Sequence, residues 1–441
     1  MKRFSEVAAE RKARQWDLFQ LNRTVRAVTI VNNTLQELTD QQEEGIAVRV
    51  VKKERLGFSS ASAFDDKYTC LDNALAAAEY GEKTRLQMPA ASMDRGNGVY
   101  EGRMAVSLEE MVEQGSALAA RLTQAGKGYL VSVRIGTSEE ETRVYNSAGL
   151  HSALRCGRFH CQAGCQLADR PLVGRHLGLW STGPDRLSEE RLDNLLTDIG
   201  ILEKAVPAAK GVYQVLFTPN AVMDLLFVLC QGLAGTPIAE GTSPLTGRLS
   251  EPVFSPHISI QSNPGKKAGS FAAPFDDEGS PGRPVDLIRQ GVFEDYLLDL
   301  HSAGELQRGG NGHGRRVRCL KGVRSHAAPP RPLPVHLDLA PGTEPYRDLT
   351  AGMHTGVVID HVHGWLLGAM PAGEFSGTIH GGMVIRRGRP QGRTDGLQLR
   401  GNVYTLLQDH VIALSRERHT AFSLGVHGRI PYMLCRDVVL Y

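Results

Sequence analysis

Apolar and polar residues alternate over long stretches of the first half of the chain, and this alternation predicts β-strands. Extended segments are expected at residues 18–30 and 46–51, with a turn at Asn32 and Asn33 between them. A short polar helix is expected before them at residues 4–14. The N-terminal half is therefore expected to be an α/β unit.

A similar order of elements is predicted twice in this half. Helix, strand, Asn-containing turn and strand occur near residues 5–55 and again near residues 107–160. The helix of the second copy begins with Ser107 and Glu110, which fit a capping box. The repeated pattern suggests an internal duplication.

The second half of the chain has a different pattern, in which short strands are separated by Gly and Pro turns around one apolar helix at residues 221–233. Turn residues precede an amphipathic helix near residue 185, so we expect an N-terminal α/β domain over residues 1–185. Residues 186–441 are expected to form a β-rich, barrel- or sandwich-like domain, which makes the protein α+β. Residues 326–346 hold six prolines and are expected to be an extended surface connection.

Composition narrows the classes of function. The chain of 441 residues has 50 basic and 48 acidic side chains, and a net charge of +2 gives no general attraction to nucleic acid or membranes. No stretch reaches 18 uncharged apolar residues, so no transmembrane helix is predicted. Seven cysteines and a charged N-terminus without a signal-peptide pattern indicate a cytoplasmic protein.

Histidines are the first candidates for metal binding. No histidine is followed by glutamate, which excludes the HExxH and HExxxH zinc helices. Asp360, His361 and His363 offer two imidazoles on one face of a strand, but a metal site needs a third ligand nearby. The alternative is that these residues belong to a strand end and a turn.

A second cluster contains Cys156, His160, Cys161 and Cys165. Its spacing matches neither the paired cysteines of zinc ribbons nor the cysteines of ferredoxins. We therefore expect reduced thiols buried on a strand.

Two further clusters involve charge. Asp276, Asp277 and Glu278 are adjacent and could bind a metal or act as acid and base, although such a turn is more often solvated or caps backbone N–H groups. Residues 309–316 form a Gly-rich loop with two arginines that could bind an anion through backbone amides. This loop follows neither the P-loop nor the Rossmann pattern.

Taken in order, several segments resemble the TldD/PmbA family of metallopeptidase-related proteins. They are RLGFSSAS (55–62), GVYQVLFTPNAVMDLL (211–226), PFDDEG (274–279), LIRQGVFEDYLLDLHSA (287–303), AGEFSGTIHGGMVIRRGRP (372–390) and the closing IPYMLCRDVVLY. These segments follow one another in the order of the family, and together they cover the range from residue 55 to residue 441.

The catalytic TldD branch of this family carries HExxxH on the helix that follows the strand matched here by residues 211–217, and a later cysteine completes the zinc site. The motif positions fall here on Phe227, Val228 and Gly232, and Cys435 is interpreted as a core residue. The chain is thus similar to the PmbA/TldE branch, which lacks the motif.

This resemblance implies no zinc in this chain. A TldD-like catalytic partner would hold the zinc, and the heterodimer would cleave extended, unfolded peptides in a shared chamber. Two alternatives stay open: a peptide-binding homodimer without catalysis, and a hydrolase with a relocated metal site. The candidates for the cleft or interface are Asp276, Asp277, Glu278, Ser302, Glu374, Phe375 and Ser376.

Overall fold

The computed structural model describes residues 3–90, 98–99, 106–124, 128–181, 183–265, 273–318, 323–365 and 368–441. The helices are α1 (Phe4–Glu10), α2 (Lys67–Ala77), α3 (Leu108–Thr123), α4 (Glu189–Glu203), α5 (Pro219–Gly232), α6 (Gly235–Ala239), α7 (Leu300–Glu305), α8 (Tyr346–Ala351) and α9 (Val403–Thr405). The strands of the first half are β1 (Gln15–Val31), β2 (Thr34–Lys52), β3 (Arg55–Ala61), β4 (Gly98–Val99), β5 (Tyr129–Asn146), β6 (His151–Leu167) and β7 (Arg170–Ser181).

The strands of the second half are shorter until the last two. They are β8 (Gly211–Phe217), β9 (Ile260–Ser262), β10 (Val285–Arg289), β11 (Val292–Phe293), β12 (Gly314–Arg315), β13 (Val317–Arg318), β14 (Val323–Arg324), β15 (Arg331–Pro332), β16 (His336–Leu339), β17 (Thr355–Ile359), β18 (Val362–His363), β19 (Glu374–Ile379), β20 (Gly382–Arg386), β21 (Arg389–Thr394), β22 (Gln398–Asn402), β23 (Val411–Ser423) and β24 (Val426–Leu440). The fold is α+β, as predicted.

The N-terminal half forms one sheet in the order β3-β2-β1-β5-β6, and both β4 and β7 pair with β6. The predicted strands are parts of much longer ones, because the polar stretches between the predicted segments continue the same ladder. Asn32 and Asn33 form the turn between β1 and β2 as predicted. Both have positive φ, a conformation that asparagine tolerates and that two-residue hairpins favour.

The element order of the N-terminal half repeats, as the sequence pattern suggested. The set α1, β1, β2, β3 and α2 is followed by α3, β5, β6, β7 and α4, and β1 pairs with β5 at the centre of the sheet. The predicted capping box is present at the start of α3. Ser107 Oγ accepts from Glu110 N at 3.1 Å, and the Glu110 carboxylate accepts from Ser107 N at 2.8 Å.

The C-terminal half is built on a mixed sheet in the order β11-β10-β9-β16-β24-β8-β17-β20-β21. Helix α5 is apolar around nearly its whole circumference and is buried in the core of this half, as expected for a helix without a solvent face. Among the described helices, none combines the length and apolar character needed to cross a membrane.

The proline-rich stretch differs from its prediction. Residues 336–339 form the buried strand β16, which pairs with β24 on one side and β9 on the other. Because Pro334 and Pro341 lie just outside β16, they remove no hydrogen bond from the ladder. The expectation of a surface connection is therefore wrong for this stretch.

The two halves share apolar contacts. One core cluster joins Met111 and Ile135 of the first half to Leu216, Val358 and Ile385 of the second. A domain boundary near residue 185 stays a prediction. The shared core holds the N-terminal sheet against the C-terminal half, which positions the polar residues described below.

Replacement of Leu337 by alanine tests the placement of β16. Leu337 is 0% exposed, so the cavity left by L337A should lower the free energy of unfolding by about 2–5 kcal/mol. The matched control is L172A on β7, where Leu172 is 54% exposed and the change should stay within about 0.5 kcal/mol. Urea denaturation measures both variants, and equal, small effects would contradict the buried position of β16.

Candidate functional site

The acidic tripeptide Asp276, Asp277 and Glu278 lies between β9 and β10 and is buried, with each residue 1% exposed. A solvated turn is therefore the wrong description of this segment. Asp276 Oδ1 accepts hydrogen bonds from Glu278 N at 3.0 Å and Ser280 N at 2.9 Å, which closes the local turn. Asp276 therefore caps backbone N–H groups, as its residue type favours, but it does so in the interior of the protein.

The Gly-rich loop wraps around this tripeptide. Gly314 N donates to Asp276 Oδ2 and Arg316 N donates to Asp277 Oδ2, both at 2.8 Å. A Cβ on residue 314 would lie 2.0 Å from Glu278 Oε2, so only glycine fits there. The loop does bind an anion through its backbone amides, and that anion is the chain's own carboxylates.

Arginines from both halves of the chain neutralise the tripeptide. Arg49 Nη1 donates to Glu278 Oε1 at 2.6 Å, and Arg49 Nε donates to Asp17 Oδ2 at 2.8 Å. Arg324 pairs with Asp277. Since Arg49 and Asp17 lie on β2 and β1, the ion pairs cross between the N-terminal sheet and the C-terminal half.

Arg316 completes this part of the network. Its side chain is 0% exposed, its Nη2 lies 3.5 Å from Asp17 Oδ1, and its guanidinium lies over the Phe19 ring at 4.9 Å. Removal of one partner of a buried ion pair is strongly destabilising, because it leaves the other charge unpaired. The contact of Glu278 with Arg49 therefore favours one arrangement of the two halves.

Glu140 on β5 is the centre of a second group of ion pairs. Its carboxylate lies 3.1 Å from Arg158 Nη1, 3.4 Å from Arg324 Nη1 and 3.7 Å from Arg23 Nη1. Arg324 thus contacts both Glu140 and Asp277. The two groups form one continuous network, which we call the interdomain ion network.

Carboxylates of this network differ in their protonation. Burial raises the pKa of Glu140, but Arg158, Arg324 and Arg23 outweigh burial and hold that pKa at about 2. Burial likewise raises the pKa of Asp277, and Arg324 and Arg315 bring it down to about 2. For Glu278, burial raises the pKa to about 8 in spite of Arg49. Since these groups are buried, the tripeptide offers no accessible acid and base.

A cavity of about 410 Å³ lies beside the network. The floor of the cavity is formed by side chains on one face of the N-terminal sheet. Arg23 pairs with Glu140, and Ser138 pairs with both Val25 and Arg158, so these side chains point to the same face. The cavity is lined by Arg23, Val25, Gln41, Ser138, Glu140, Arg158, His160, Trp180, Arg315, Val317, Val323, Arg324, Pro334, Val335, Phe422, Gly425 and His427.

The positions to which the family resemblance assigns the HExxxH motif lie in the apolar core. Phe227 is 2% exposed and its ring lies 5.8 Å from that of Trp365, while Val228 is 0% exposed. A Cβ on residue 232 would lie 1.7 Å from Tyr404 Oη and 2.9 Å from the backbone oxygen of Pro371, so a histidine in place of Gly232 would require Tyr404 to move. The chemistry and the space at these positions do not suit zinc.

The six cysteines that the structure describes form no metal-binding group either. Cys435 is buried and its pKa is raised by burial. Cys156, Cys161 and Cys165 lie buried on β6 as free thiols, as expected. Burial raises the pKa of Cys161 to about 12 and that of Cys165 to about 11, so both are thiols at neutral pH.

The histidines near residue 361 have separate partners. His361 Nε2 lies 3.6 Å from Asp360 Oδ2 and its Nδ1 lies 3.9 Å from Asp224 Oδ2, whereas the His363 ring lies 5.0 Å from that of His380. Throughout the described residues, no group of three or more His, Cys, Asp or Glu side chains is arranged to hold a metal ion.

The remaining candidates lie in two places. Ser302 is 0% exposed on α7 and donates from Oγ to Asp299 Oδ1 at 2.6 Å, near the tripeptide because Leu300 N donates to Glu278 Oε2 at 2.7 Å. The segment 374–376 belongs to β19, which pairs with β22, and its Phe375 packs in the core. Glu374 is exposed and Ser376 is half-buried in this strand.

Of the arginines that line the cavity, sequence reasoning identified only Arg315, as part of the Gly-rich loop, and it missed the aromatic neighbours on β7 and β23. One signal was present, since Asp17 and Arg49 each interrupt an apolar run, and a charged residue at a buried strand position needs a partner. The sequence does not show which residue is that partner, because Arg49 and Glu278 are 229 residues apart.

Comparisons with known proteins agree on one family. Residues 210–440 match the family model "PmbA/TldA metallopeptidase C-terminal domain", and residues 16–79 match "PmbA/TldA metallopeptidase domain 1". A metalloprotease TldD homolog of Haemophilus influenzae is 24% identical over 198 residues, which cover 45% of this chain and only 39% of that protein.

Two further similarities extend over more of the chain. A metalloprotease TldD homolog of Buchnera aphidicola is 21% identical over 392 residues, covering 85% of this chain and 79% of that protein. The crystal structure of TldE from Thermococcus kodakarensis has a TM-score of 0.82 and 18% identity, covering 98% of this chain and 99% of that one. The latter similarity shows the shared fold.

Replacement of Glu140 by glutamine tests the interdomain ion network. At pH 7, E140Q leaves three arginines without their shared carboxylate and should cost about 3–5 kcal/mol of unfolding free energy. The folded-state pKa of about 2 lies below the ordinary value of 4.5, so the contribution of Glu140 is complete above pH 4.5 and is lost as the pH falls toward 2. The deficit of E140Q relative to the parent should therefore shrink below pH 4.5.

The matched control is E141Q, which removes the neighbouring carboxylate. Glu141 is 37% exposed and pairs only with Arg143 among the described ion pairs, so its loss should cost less than about 1 kcal/mol. Urea denaturation between pH 3 and pH 7 measures all three proteins. A deficit of E140Q that equals that of E141Q, or that does not change with pH, would contradict the role of Glu140.

Proposed function

The chain belongs to the TldD/PmbA family of metallopeptidase-related proteins, and we propose that it acts there as a TldE-like subunit that supplies no zinc. This proposal rests on the side chains of α5 at the positions of the HExxxH motif. These positions hold Phe227, Val228 and Gly232 in the apolar core, and Tyr404 occupies the space that a second histidine would need. A chain built this way needs another subunit for hydrolysis.

The partner in this proposal is a TldD-like catalytic subunit. It would hold the zinc and the reacting water, and it would share a substrate chamber with this chain. The pairing is supported by the similarity of the chain both to TldD homologues and to a TldE. We propose a cytoplasmic location for this pair.

The proposed contribution of this chain is to bind and orient the peptide. Extended peptides bind through backbone hydrogen bonds and side-chain pockets, and this mode admits varied sequences. The cavity beside the interdomain ion network is a pocket of suitable size. Folded proteins offer no free extended segment and would be excluded.

Cleavage assays test this division of roles. The chain alone, a TldD-like chain from the same genome alone, and the mixture are each given an unstructured peptide. We expect no cleavage by this chain and at least about tenfold faster cleavage by the mixture than by the TldD-like chain alone, since a correctly positioned substrate reacts faster.

Two controls sharpen this assay. A chelator should abolish cleavage by the mixture, and the same mixture should leave a folded protein intact. Cleavage by the isolated chain would contradict the proposal and favour a relocated hydrolytic site. A mixture no faster than the TldD-like chain alone would contradict the partnership and leave a peptide-binding homodimer as the better description.

A further inference from the structure

The cavity beside the interdomain ion network is rich in positive charge. Four arginines line it, and Glu140 is the single carboxylate among the described lining residues. Asp277 and Glu43 contact these arginines from outside the lining, Asp277 through Arg324 and Arg315, and Glu43 through Arg23. Among the described ion pairs, these four arginines share three carboxylates.

Arg315 is the guanidinium with the weakest partner. Its side chain is 11% exposed, and its one ion pair within the described part of the chain is with Asp277, at 3.9 Å between Nη1 and Oδ1. Burial lowers the pKa of Arg315, Asp277 raises it, and Arg324 and Arg158 lower it further, with a net downward shift. An added anion would relieve this repulsion.

Two other arginine N–H donors near the cavity make no hydrogen bond among the described residues. They are Arg23 Nε and Arg324 Nε, and both are buried. A buried donor without a partner costs free energy. Arginine donors in a fixed plane suit the two oxygens of a carboxylate.

The other walls of the cavity are apolar and partly open. Trp180 on β7 and Phe422 on β23 have ring centroids 5.6 Å apart, and His427 lies 4.6 Å from Phe422. At the mouth, Phe422 is 36% and Val323 is 40% exposed. A volume of about 410 Å³ is at the small end of the range of about 300–1,000 Å³ for ligand sites. The space suits a short piece of extended chain.

We propose that this cavity binds a carboxylate of an extended peptide, with Arg315 as the principal anchor and Trp180 and Phe422 in contact with the adjoining apolar part. The proposal rests on the peptide-binding role proposed above and specifies its substrate class. Acidic side chains and a free C-terminus present the same carboxylate. Peptides that lack both would bind less tightly.

Fluorescence anisotropy with the isolated full chain tests this site without zinc or a partner. The probes are labelled unstructured peptides of one neutral sequence with a free C-terminal carboxylate, the same sequence amidated, and the amidated sequence with one glutamate. We expect one or both carboxylate probes to bind at least about tenfold more tightly than the neutral amide. The comparison of these two probes identifies the source of the carboxylate.

The variant R315Q should weaken binding of the carboxylate probe about 10- to 100-fold and leave the neutral amide unchanged. Its control is R416Q, since the Arg416 side chain is 64% exposed and lies outside the cavity lining. Circular dichroism reports whether R315Q is folded.

A second pair of variants does not disturb the buried network. Gln41 is an exposed residue of the cavity lining, so Q41K should tighten carboxylate binding and Q41E should weaken it, each several-fold at low salt. The proposal would be overturned if the neutral amide bound as tightly as the carboxylate probes, or if folded R315Q bound them as tightly as the parent. It would also be overturned if Q41K and Q41E did not shift carboxylate binding in opposite directions. Stronger competition by inorganic phosphate than by the peptides would overturn it too.

This binding assay and the cleavage assay can fail independently. Carboxylate binding by the isolated chain, without faster cleavage by the mixture, would leave the site intact and remove the peptidase partnership. Faster cleavage without a preference for carboxylates would keep the partnership and remove this site.

Discussion

Burial of three adjacent carboxylates between the two halves of the chain is the constraint on which the rest of the structure depends. Each buried acidic group needs a partner, and the partners that cross between the halves are Arg49 for Glu278 and Arg324 for Glu140. Separation of the halves would leave these groups without those partners. The same network fixes Arg315 and Arg324 at the wall of the cavity, so the packing of the halves and the shape of the binding pocket have one cause.

Local patterns predicted much of the fold. The turn at Asn32 and Asn33, the capping box at Ser107 and the buried helix α5 each depend on residues close in sequence, and each is found where it was expected. The long β1–β2 hairpin extends beyond the predicted strands because pairing with neighbouring strands holds polar segments in the sheet. Such pairing is decided by tertiary contacts rather than by local preference.

The candidate site was harder to predict. The tripeptide was identified as a cluster, but its burial depends on arginines far away in the chain, and a net charge of +2 conceals the local concentration of arginine around the cavity. Strand β16 was missed for a related reason, since prolines that flank a strand and prolines that interrupt one give a similar composition. By contrast, the absence of a His-Glu pair was readable directly from the sequence, and the structure adds that a Cβ on residue 232 would lie 1.7 Å from Tyr404 Oη.

The central claim is that this chain works as the zinc-free member of a pair. Native mass spectrometry of the chain mixed with a TldD-like chain from the same genome tests it most directly, because mass gives both the subunits and the bound metal. The account predicts complexes that contain both chains, with zinc in the TldD-like chain and none in this chain when it is measured alone. Zinc bound to the isolated chain, or a mixture that holds only complexes of identical chains, would contradict it.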